Sequence, residues 1–370
     1  MSTFPQPLDL RRLKVYPLAS RRSLSAIEEI LIDPRSTPEP ATPVNDTLIR
    51  GAAASIRTAR ERKASVMLLY GAHLVKNGAG AIVRELIEGG WVTHLGTNGA
   101  GSIHDWEFAF QNWSTESVEQ NVATGTFGTW DETGRNIHLA LLSGALREEG
   151  YGVSVGRFIA EDGTDLPTSE SLEDSLRREP AHPSSPARAE LLLAMRNHGL
   201  KGGRISVPHP WKHTSIFANA FKQGVPLTVH PGIGYDIISN HPMFNGAAIG
   251  RAAWIDFGLF GRAVESLDGG VVMSVGSAIM APQVFEKSLS CVNNLRLQDG
   301  RPIVRSHEFY VVDLQNGGNW DWTKGEPPRE NPAYYLRFCK SFSRMGGKMH
   351  YAQCDNVLFL HHLLNQLRAS

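Results

Sequence analysis

Ser65-Val-Met-Leu-Leu-Tyr-Gly71 is the stretch that decides the fold, because it is an apolar run that ends at a glycine. Residues 79–88 follow it with apolar side chains at helical spacing, and residues 91–95 form a second strand-like run. A strand, a turn containing glycine, a helix and another strand make a βαβ unit, whose two strands are parallel. The sequence therefore predicts an α/β protein built on a parallel sheet.

The same alternation returns after residue 200 and continues to the C-terminal region. Strands are predicted at residues 204–207, 226–229, 271–275, 308–314 and 348–352. Helices are predicted at residues 213–223, 247–268, 281–292 and 332–343, and a last helix opens at Asp355. Alternation of this kind favours a doubly wound, mostly parallel sheet with helices on both faces.

The remaining stretches set the expected domain organisation. Residues 1–44 are predicted to be an N-terminal arm and Pro-rich linker outside the sheet, because prolines crowd residues 34–43. Residues 45–370 are predicted to form a single domain, with a divergent insertion at about 105–200. Within that insertion, residues 152–159 alternate in a way that predicts extended backbone.

Composition excludes several classes of partner. The chain of 370 residues carries 37 basic and 37 acidic side chains, so its formal net charge is zero and it lacks the basic excess of nucleic-acid-binding proteins. No apolar run is long enough to predict a membrane span. Three widely spaced cysteines are typical of reduced thiols. We therefore expect a cytoplasmic protein whose partner is a small molecule, without nucleic acid or membrane.

Four glycine-bearing segments follow predicted strands, at residues 71–78, 96–101, 230–236 and 275–279. In an open parallel sheet, ligands bind beyond the carboxyl ends of the strands. Glycine allows close approach of a ligand to the backbone, and the amides at a helix start offer donors to phosphate. These segments predict a nucleotide-type pocket, although neither GxGxxG after the first strand nor a Walker A lysine motif is present.

Histidines and carboxylates accumulate near the same strand ends. They are His73, His94, His104, Asp105, His209, His213, His230, Asp236 and His241. Their loose spacings are compatible with a metal site, but the chain has no HExxH motif. The alternative is a set of histidines hydrogen-bonded in a polar cleft. Lys76 lies beside the predicted pocket, where a lysine can form an imine with a carbonyl compound or simply remain solvated.

Taken together and in order, the glycine segments resemble those of deoxyhypusine synthase and its bacterial homospermidine-synthase-like relatives. The resemblance runs from about residue 65 to the C-terminus. It is carried by Tyr70-Gly-Ala-His-Leu-Val-Lys-Asn-Gly78, Thr97-Asn-Gly-Ala-Gly101, residues 231–236 and Gly269-Gly-Val-Val-Met-Ser-Val-Gly-Ser277. It implies a Rossmann-like domain that binds NAD without the usual fingerprint, and a homotetramer or homodimer.

The resemblance also implies which residues serve the cofactor and the chemistry. The implied NAD-binding residues are His73, Asn77, Gly78, Thr97, Asn98, Gly99, Gly101, Gly232, Gly234, Gly276 and Ser277. The candidate catalytic residues, as acid, base or substrate-holding groups, are Lys76, His104, Asp105 and Asp236.

One departure from the family bears on the activity. Aligning the turn at Gly276 places Met280 at the family's catalytic lysine, and a thioether cannot form an imine. We therefore expect an NAD-dependent, transferase- or oxidoreductase-like enzyme that acts on a small polar or cationic substrate and is not a true deoxyhypusine synthase. The alternatives are a metal-dependent hydrolase or lyase that uses the His/Asp cluster, and a non-catalytic nucleotide-binding homologue.

Overall fold

The computed structural model of the chain describes residues 4–369. The strands are β1 (Ser25–Ala26), β2 (Val66–Tyr70), β3 (His94–Asn98), β4 (Trp113–Ser114), β5 (Gly163–Leu166), β6 (Gly203–Ser206), β7 (Leu227–His230), β8 (Val271–Val275), β9 (Glu308–Asp313) and β10 (Lys348–Gln353). The helices are α1 (Ile27–Ile30), α2 (Pro43–Glu61), α3 (Ala72–Lys76), α4 (Gly80–Glu88), α5 (Gly99–Gln111), α6 (Val118–Ala123), α7 (Asp131–Ala145), α8 (Tyr151–Ala160), α9 (Ser169–Arg178), α10 (Ser185–His198), α11 (Ile216–Gln223), α12 (Gly246–Glu265), α13 (Met280–Gln298), α14 (Arg337–Ser343) and α15 (Asn356–Arg368).

Six strands form one sheet in the order β10-β9-β8-β2-β3-β7, and every pair in it is parallel. Numbered along the chain, these strands run 3-2-1-4-5-6 from one edge, which is the order of the Rossmann fold. The predicted fold class, a Rossmann-like, mostly parallel doubly wound sheet, is therefore confirmed. The order reverses between β2 and β8, where Tyr70 pairs with Val275.

The central strands are buried on both faces, which explains their continuous apolar runs. In β2, Val66, Leu68 and Tyr70 belong to one hydrophobic cluster, and Met67 and Leu69 belong to another. Helices α2, α5 and α15 contribute to the first cluster, and α12, α13 and α14 to the second. Because side chains alternate along a strand, one apolar run supplies both layers of the core.

Two strand-like predictions are wrong in their placement or type. Strand β6, predicted as part of the alternating region, pairs antiparallel with β5 outside the main sheet. Residues 152–159, predicted as extended, lie in α8. Gly152 and Gly156 are one helical turn apart, and their missing side chains let α8 contact the backbone of Leu227 and Phe217 directly. The glycines that made these residues look like an alternating strand serve instead the close packing of a helix.

The N-terminal segment packs against α5. Strand β1 pairs antiparallel with β4, which follows α5 directly. Leu18 and Ile27 are 0% and 3% exposed, and Ile27 N donates to Asn112 O at 2.7 Å. The segment therefore forms one wall of the region beyond the carboxyl ends of β2 and β3. Among residues 4–369, no helix has the length and apolar character needed to cross a bilayer.

Candidate functional site

A partly open cavity of about 240 Å³, here called the edge cavity, lies beyond the carboxyl ends of β2, β3 and β7. Helix α3 brings Lys76 to it, helix α5 brings His104 and Glu107, and the segment after β7 brings Asp236. Arg21 and Glu116 complete its charged lining. Three of the four predicted catalytic residues, Lys76, His104 and Asp236, thus share one cavity.

A series of hydrogen bonds fixes the tautomer of the His104 imidazole. Its Nδ1 lies 2.8 Å from Ser114 Oγ, which in turn donates to Glu107 Oε2 at 2.6 Å. Because the only hydroxyl proton of Ser114 goes to the carboxylate, His104 Nδ1 must be the donor to Ser114. The tautomer therefore leaves the lone pair on Nε2, and within residues 4–369 Nε2 makes no hydrogen bond.

Burial keeps this imidazole neutral. It lowers the pKa of His104 to about 4, with Glu107 raising it and the charges of Lys76, Arg21 and His73 lowering it further. An imidazole with that pKa is unprotonated at neutral pH, so Nε2 can accept a proton there. The tautomer and the protonation state together leave His104 Nε2 available as a proton acceptor, and its lowered pKa makes it a weaker base than an exposed imidazole.

The series of hydrogen bonds from His104 ends at Glu107, which forms an ion pair with a residue of the N-terminal segment. Arg21 Nη1 and Nη2 donate to its two carboxylate oxygens at 2.8 and 2.7 Å, and both side chains are 1% exposed. Thr133 Oγ1 donates to Oε1 at 2.8 Å. Burial alone raises the pKa of Glu107, but the charge and hydrogen bonds of Arg21 outweigh burial and hold it below the usual value. Glu107 is therefore an ionised acceptor at neutral pH.

Three further charged groups line the edge cavity without an ion-pair partner among residues 4–369. Lys76 is half-buried at the end of α3. Glu116 accepts hydrogen bonds from Asn121 Nδ2 at 2.6 Å and Trp130 Nε1 at 3.0 Å, both neutral donors. Asp236 accepts from Gly232 N at 2.7 Å, and burial raises its pKa to about 6.

Asp105, the fourth predicted catalytic residue, lies elsewhere. Its carboxylate accepts from Ile216 N at 2.8 Å and from Ser215 Oγ, so it caps the start of α11. Residues 100, 103, 104 and 107 of α5 line the edge cavity, and residue 105 falls on a different face of that helix. The helical period, which spacing within a predicted loop does not reveal, separates Asp105 from its neighbour His104.

The glycines predicted to bind NAD do not line one open cleft. A Cβ atom at Gly99 would overlap the carboxylate of Asp236, and one at Gly232 would overlap the ring of Tyr235. Residues 231–236 thus fill the space beside both glycines. Strand β3 runs straight into α5 at Gly99, so the predicted loop at 96–101 does not exist. NAD binding by these residues stays a prediction.

The other predicted cofactor residues mostly contact the protein itself. Thr97 Oγ1 donates to Tyr70 O at 2.9 Å, and Asn98 Oδ1 accepts from Gly101 N at 2.9 Å. Gly78 packs against the carbonyl of Ile30.

Where the strand order reverses, between β2 and β8, the main chain of Gly71 contacts the carbonyl of Gly276. Ser277 Oγ accepts from Ala281 N, and a Cβ atom at Gly276 would overlap Asn356. His73 and Asn77 are exposed, as is Gly234, which has open space beside it.

The histidines that suggested a metal site are dispersed. His94 is buried beside Thr228, and His209 packs against Trp106 and Phe158. His241, in the segment before α12, has its Nε2 3.3 Å from Oδ1 of Asp131 at the start of α7. In the described part of the chain, no group of three or more His, Cys, Asp or Glu side chains is arranged to hold a metal ion.

Met280, which the resemblance places at the family's catalytic lysine, is the half-buried first residue of α13. Lys287, further along that helix, is exposed and forms an ion pair with Glu286 at 2.7 Å. Among residues 4–369, the lysine that lines the edge cavity is Lys76.

Several residues of the site carried no local signal in the sequence. Arg21 lies 86 residues from Glu107 in a segment predicted to be an arm. Ser114, Thr133 and Glu116 belong to a region without recognisable motifs. Only tertiary packing brings them together, so spacing rules could not have found them.

Comparisons with known proteins give weak similarities. No family model and no curated protein matches the chain. Among solved structures, ArgZ, an arginine dihydrolase from the ornithine–ammonia cycle in cyanobacteria, is 12% identical with a TM-score of 0.41, covering 88% of this chain and 33% of that one. A ternary complex of AgrE with ornithine and NAD+ is 13% identical with a TM-score of 0.44, covering 90% and 34%.

A candidate deoxyhypusine synthase from Entamoeba histolytica is 12% identical with a TM-score of 0.39, covering 89% of this chain and 90% of that one. The family that the sequence resembles is thus represented among similar structures. The chain spans about a third of the length of the first three solved structures that it matches. Likenesses this weak assign neither a family nor an activity to the chain.

Proposed function

We propose that the protein is an enzyme that moves a proton to or from a small polar or cationic molecule bound in the edge cavity. The observation that supports this most directly is the chain from His104 through Ser114 to Glu107 and Arg21. It leaves a neutral imidazole, on a residue that lines the edge cavity, whose Nε2 makes no hydrogen bond among residues 4–369. Asp236, a further carboxylate that lines the cavity, has its pKa raised to about 6 by burial, so it is mostly ionised at neutral pH and is a second group able to accept a proton there.

The test compares the wild type with His104→Asn, which keeps an amide donor toward Ser114 and removes the base. Both proteins are incubated in D2O with a panel of small polar and cationic metabolites, and NMR follows exchange of carbon-bound hydrogen and product formation. General base catalysis contributes about 10²- to 10⁴-fold, so the variant should lose at least about 100-fold in rate. His213→Asn, at an exposed position, is the matched control. An unchanged rate in His104→Asn contradicts the proposal.

NAD binding, which the resemblance implies, stays a prediction for this chain. Because Asp236 and Tyr235 fill the space beside Gly99 and Gly232, a dinucleotide could lie along these turns only after residues 231–236 had moved. Calorimetry with NAD on the wild type and on Asp236→Ala tests this. Removal of a negative charge beside the α5 N-terminus should raise the affinity for pyrophosphate, whereas absence of binding to both proteins contradicts an NAD role.

A further inference from the structure

We propose that the edge cavity binds a small zwitterion, a molecule that carries an ammonium and a carboxylate group on one short aliphatic skeleton. This ligand class rests on the proposed function for the choice of site, and on the charges of the cavity for its chemistry. It is more specific than a polar or cationic substrate, because it requires both signs of charge on the same molecule.

Two of the charged elements at the cavity contribute no net charge. Arg21 and Glu107 neutralise each other through a bidentate pair in which both side chains are 1% exposed. His104, the third polar group on this wall, is neutral at pH 7 because it is buried. These groups therefore orient one another and leave the ligand's charges to be matched elsewhere.

The charges that remain are one ammonium and two carboxylates. Lys76 is positive and, among residues 4–369, has no ion-pair partner. Glu116 and Asp236 are negative, and all the donors that reach their oxygens are neutral: Asn121 Nδ2, Trp130 Nε1 and the backbone N–H groups of Gly128 and Gly232. Neutral donors fix a carboxylate in place without cancelling its charge, so each group can still pair with a ligand ion.

A ligand with both signs offers a carboxylate to Lys76 and an ammonium to the carboxylates of Glu116 and Asp236. A diamine leaves Lys76 without a partner, whereas a simple carboxylate leaves both Glu116 and Asp236 without one. Each mismatch leaves a charge desolvated without a partner. The apolar wall formed by Ile103, Val118, Phe127 and Ile237 accommodates a short aliphatic chain. A space of about 240 Å³ lies below the usual 300–1,000 Å³ of ligand pockets and limits the ligand to a small one.

The experiment is calorimetry at pH 7.5 and low salt with four five-carbon probes that differ in charge. They are 5-aminopentanoate and norvaline, which are zwitterions, 1,5-diaminopentane, which is a cation, and pentanoate, which is an anion. We expect one zwitterion to bind at least about tenfold more tightly than either single-sign probe, the difference that one charge-assisted contact makes.

Two variants then assign the charges to residues. Lys76→Met should weaken zwitterion binding about tenfold or more and leave 1,5-diaminopentane binding unchanged or tighter. Asp236→Asn should weaken both of these ligands and leave pentanoate unchanged or tighter. Lys287→Met, at an exposed lysine of α13, is the matched control and should bind all four probes as the wild type does. Thermal melts establish that each variant is folded.

Tightest binding of 1,5-diaminopentane, tightest binding of pentanoate, or binding of none of the four probes would overturn the zwitterion proposal. The outcome is separable from that of the proposed function. Zwitterion binding without proton transfer supports the ligand class and contradicts the enzyme, whereas His104-dependent turnover of the diamine alone supports the enzyme and overturns the ligand class.

Discussion

Arg21→Met is the change that best tests how the site is held together. It removes the guanidinium from a pair in which both side chains are 1% exposed, and leaves the Glu107 carboxylate buried with only Ser114 and Thr133 as donors. Breaking a buried pair on one side costs about 3–5 kcal/mol. The matched control is Arg344→Met, which breaks an equally bidentate pair with Glu326 whose side chains are 56% and 28% exposed. An exposed pair contributes far less, because water screens both charges.

The stability lost in Arg21→Met should depend on pH, in a direction set by the ionisation of Glu107. In the wild type its pKa lies below the usual value, so its contribution to stability is present above pH 4.5 and is lost as the pH falls through the folded-state pKa. Without Arg21, burial dominates and raises that pKa, so the carboxyl group destabilises the variant increasingly as the pH rises. The difference between wild type and Arg21→Met should therefore be largest near pH 7 and shrink toward pH 4.

Urea unfolding followed by tryptophan fluorescence at pH 4.5 and pH 7 measures this difference. The double variant Arg21→Met/Glu107→Leu removes both charges and should be more stable than Arg21→Met at pH 7, because no unpaired carboxylate remains. A cost below about 1 kcal/mol for Arg21→Met at pH 7, or a double variant no more stable than the single one, refutes the reasoning.

Three other changes follow from individual contacts. Gly99→Ala should lower the melting temperature, since its Cβ overlaps the Asp236 carboxylate; Asp236→Ala in the same chain should restore it, and an uncompensated double variant argues against the overlap. Asp105→Ala should cost about 1–3 kcal/mol in urea unfolding without changing probe affinity at the edge cavity, and a change in affinity would place Asp105 in the site after all. Burial raises the pKa of Asp256 to about 8, so its stabilising contribution is present at acid pH and lost as the pH rises through about 8; Asp256→Asn should gain stability relative to wild type between pH 5 and pH 8.5, and a parallel pH dependence of the two proteins contradicts this.

The elements that the sequence predicted well are those whose signal is local. Residues 271–275 form strand β8 at the predicted bounds, because a short apolar run between glycines is buried on both faces. Asp355 caps α15 as predicted, through hydrogen bonds from Val357 N and Leu358 N. The prediction of extended backbone for residues 152–159 was wrong because the glycines of α8 serve contacts with Leu227 and Phe217. Local alternation does not reveal such distant contacts.

For the site, the sequence predicted that it lies at the carboxyl ends of the strands, but not which side chains meet there. His104 and Asp105 are neighbours in the chain, yet the turn of α5 directs one to the edge cavity and the other to the start of α11. Among the glycines of residues 96–101 and 230–236, which were predicted to face a ligand, Gly99 faces Asp236 and Gly232 faces Tyr235 of the chain itself. Backbone freedom can be predicted from a glycine, but what fills the space beside it depends on the packing of distant segments.

By itself, the sequence determined the layered α/β fold, since apolar periodicity and turn residues act over a few positions and repeat along the chain. The tertiary structure alone decided the chemistry of the site. Arg21 and Glu107 are 86 residues apart and meet because β1 pairs with β4 and folds the N-terminal segment onto α5. The free Nε2 of His104 follows from that pairing through Ser114. Hydrogen bonds and ion pairs between segments depend on distances of a few tenths of an ångström, which no spacing in a sequence encodes.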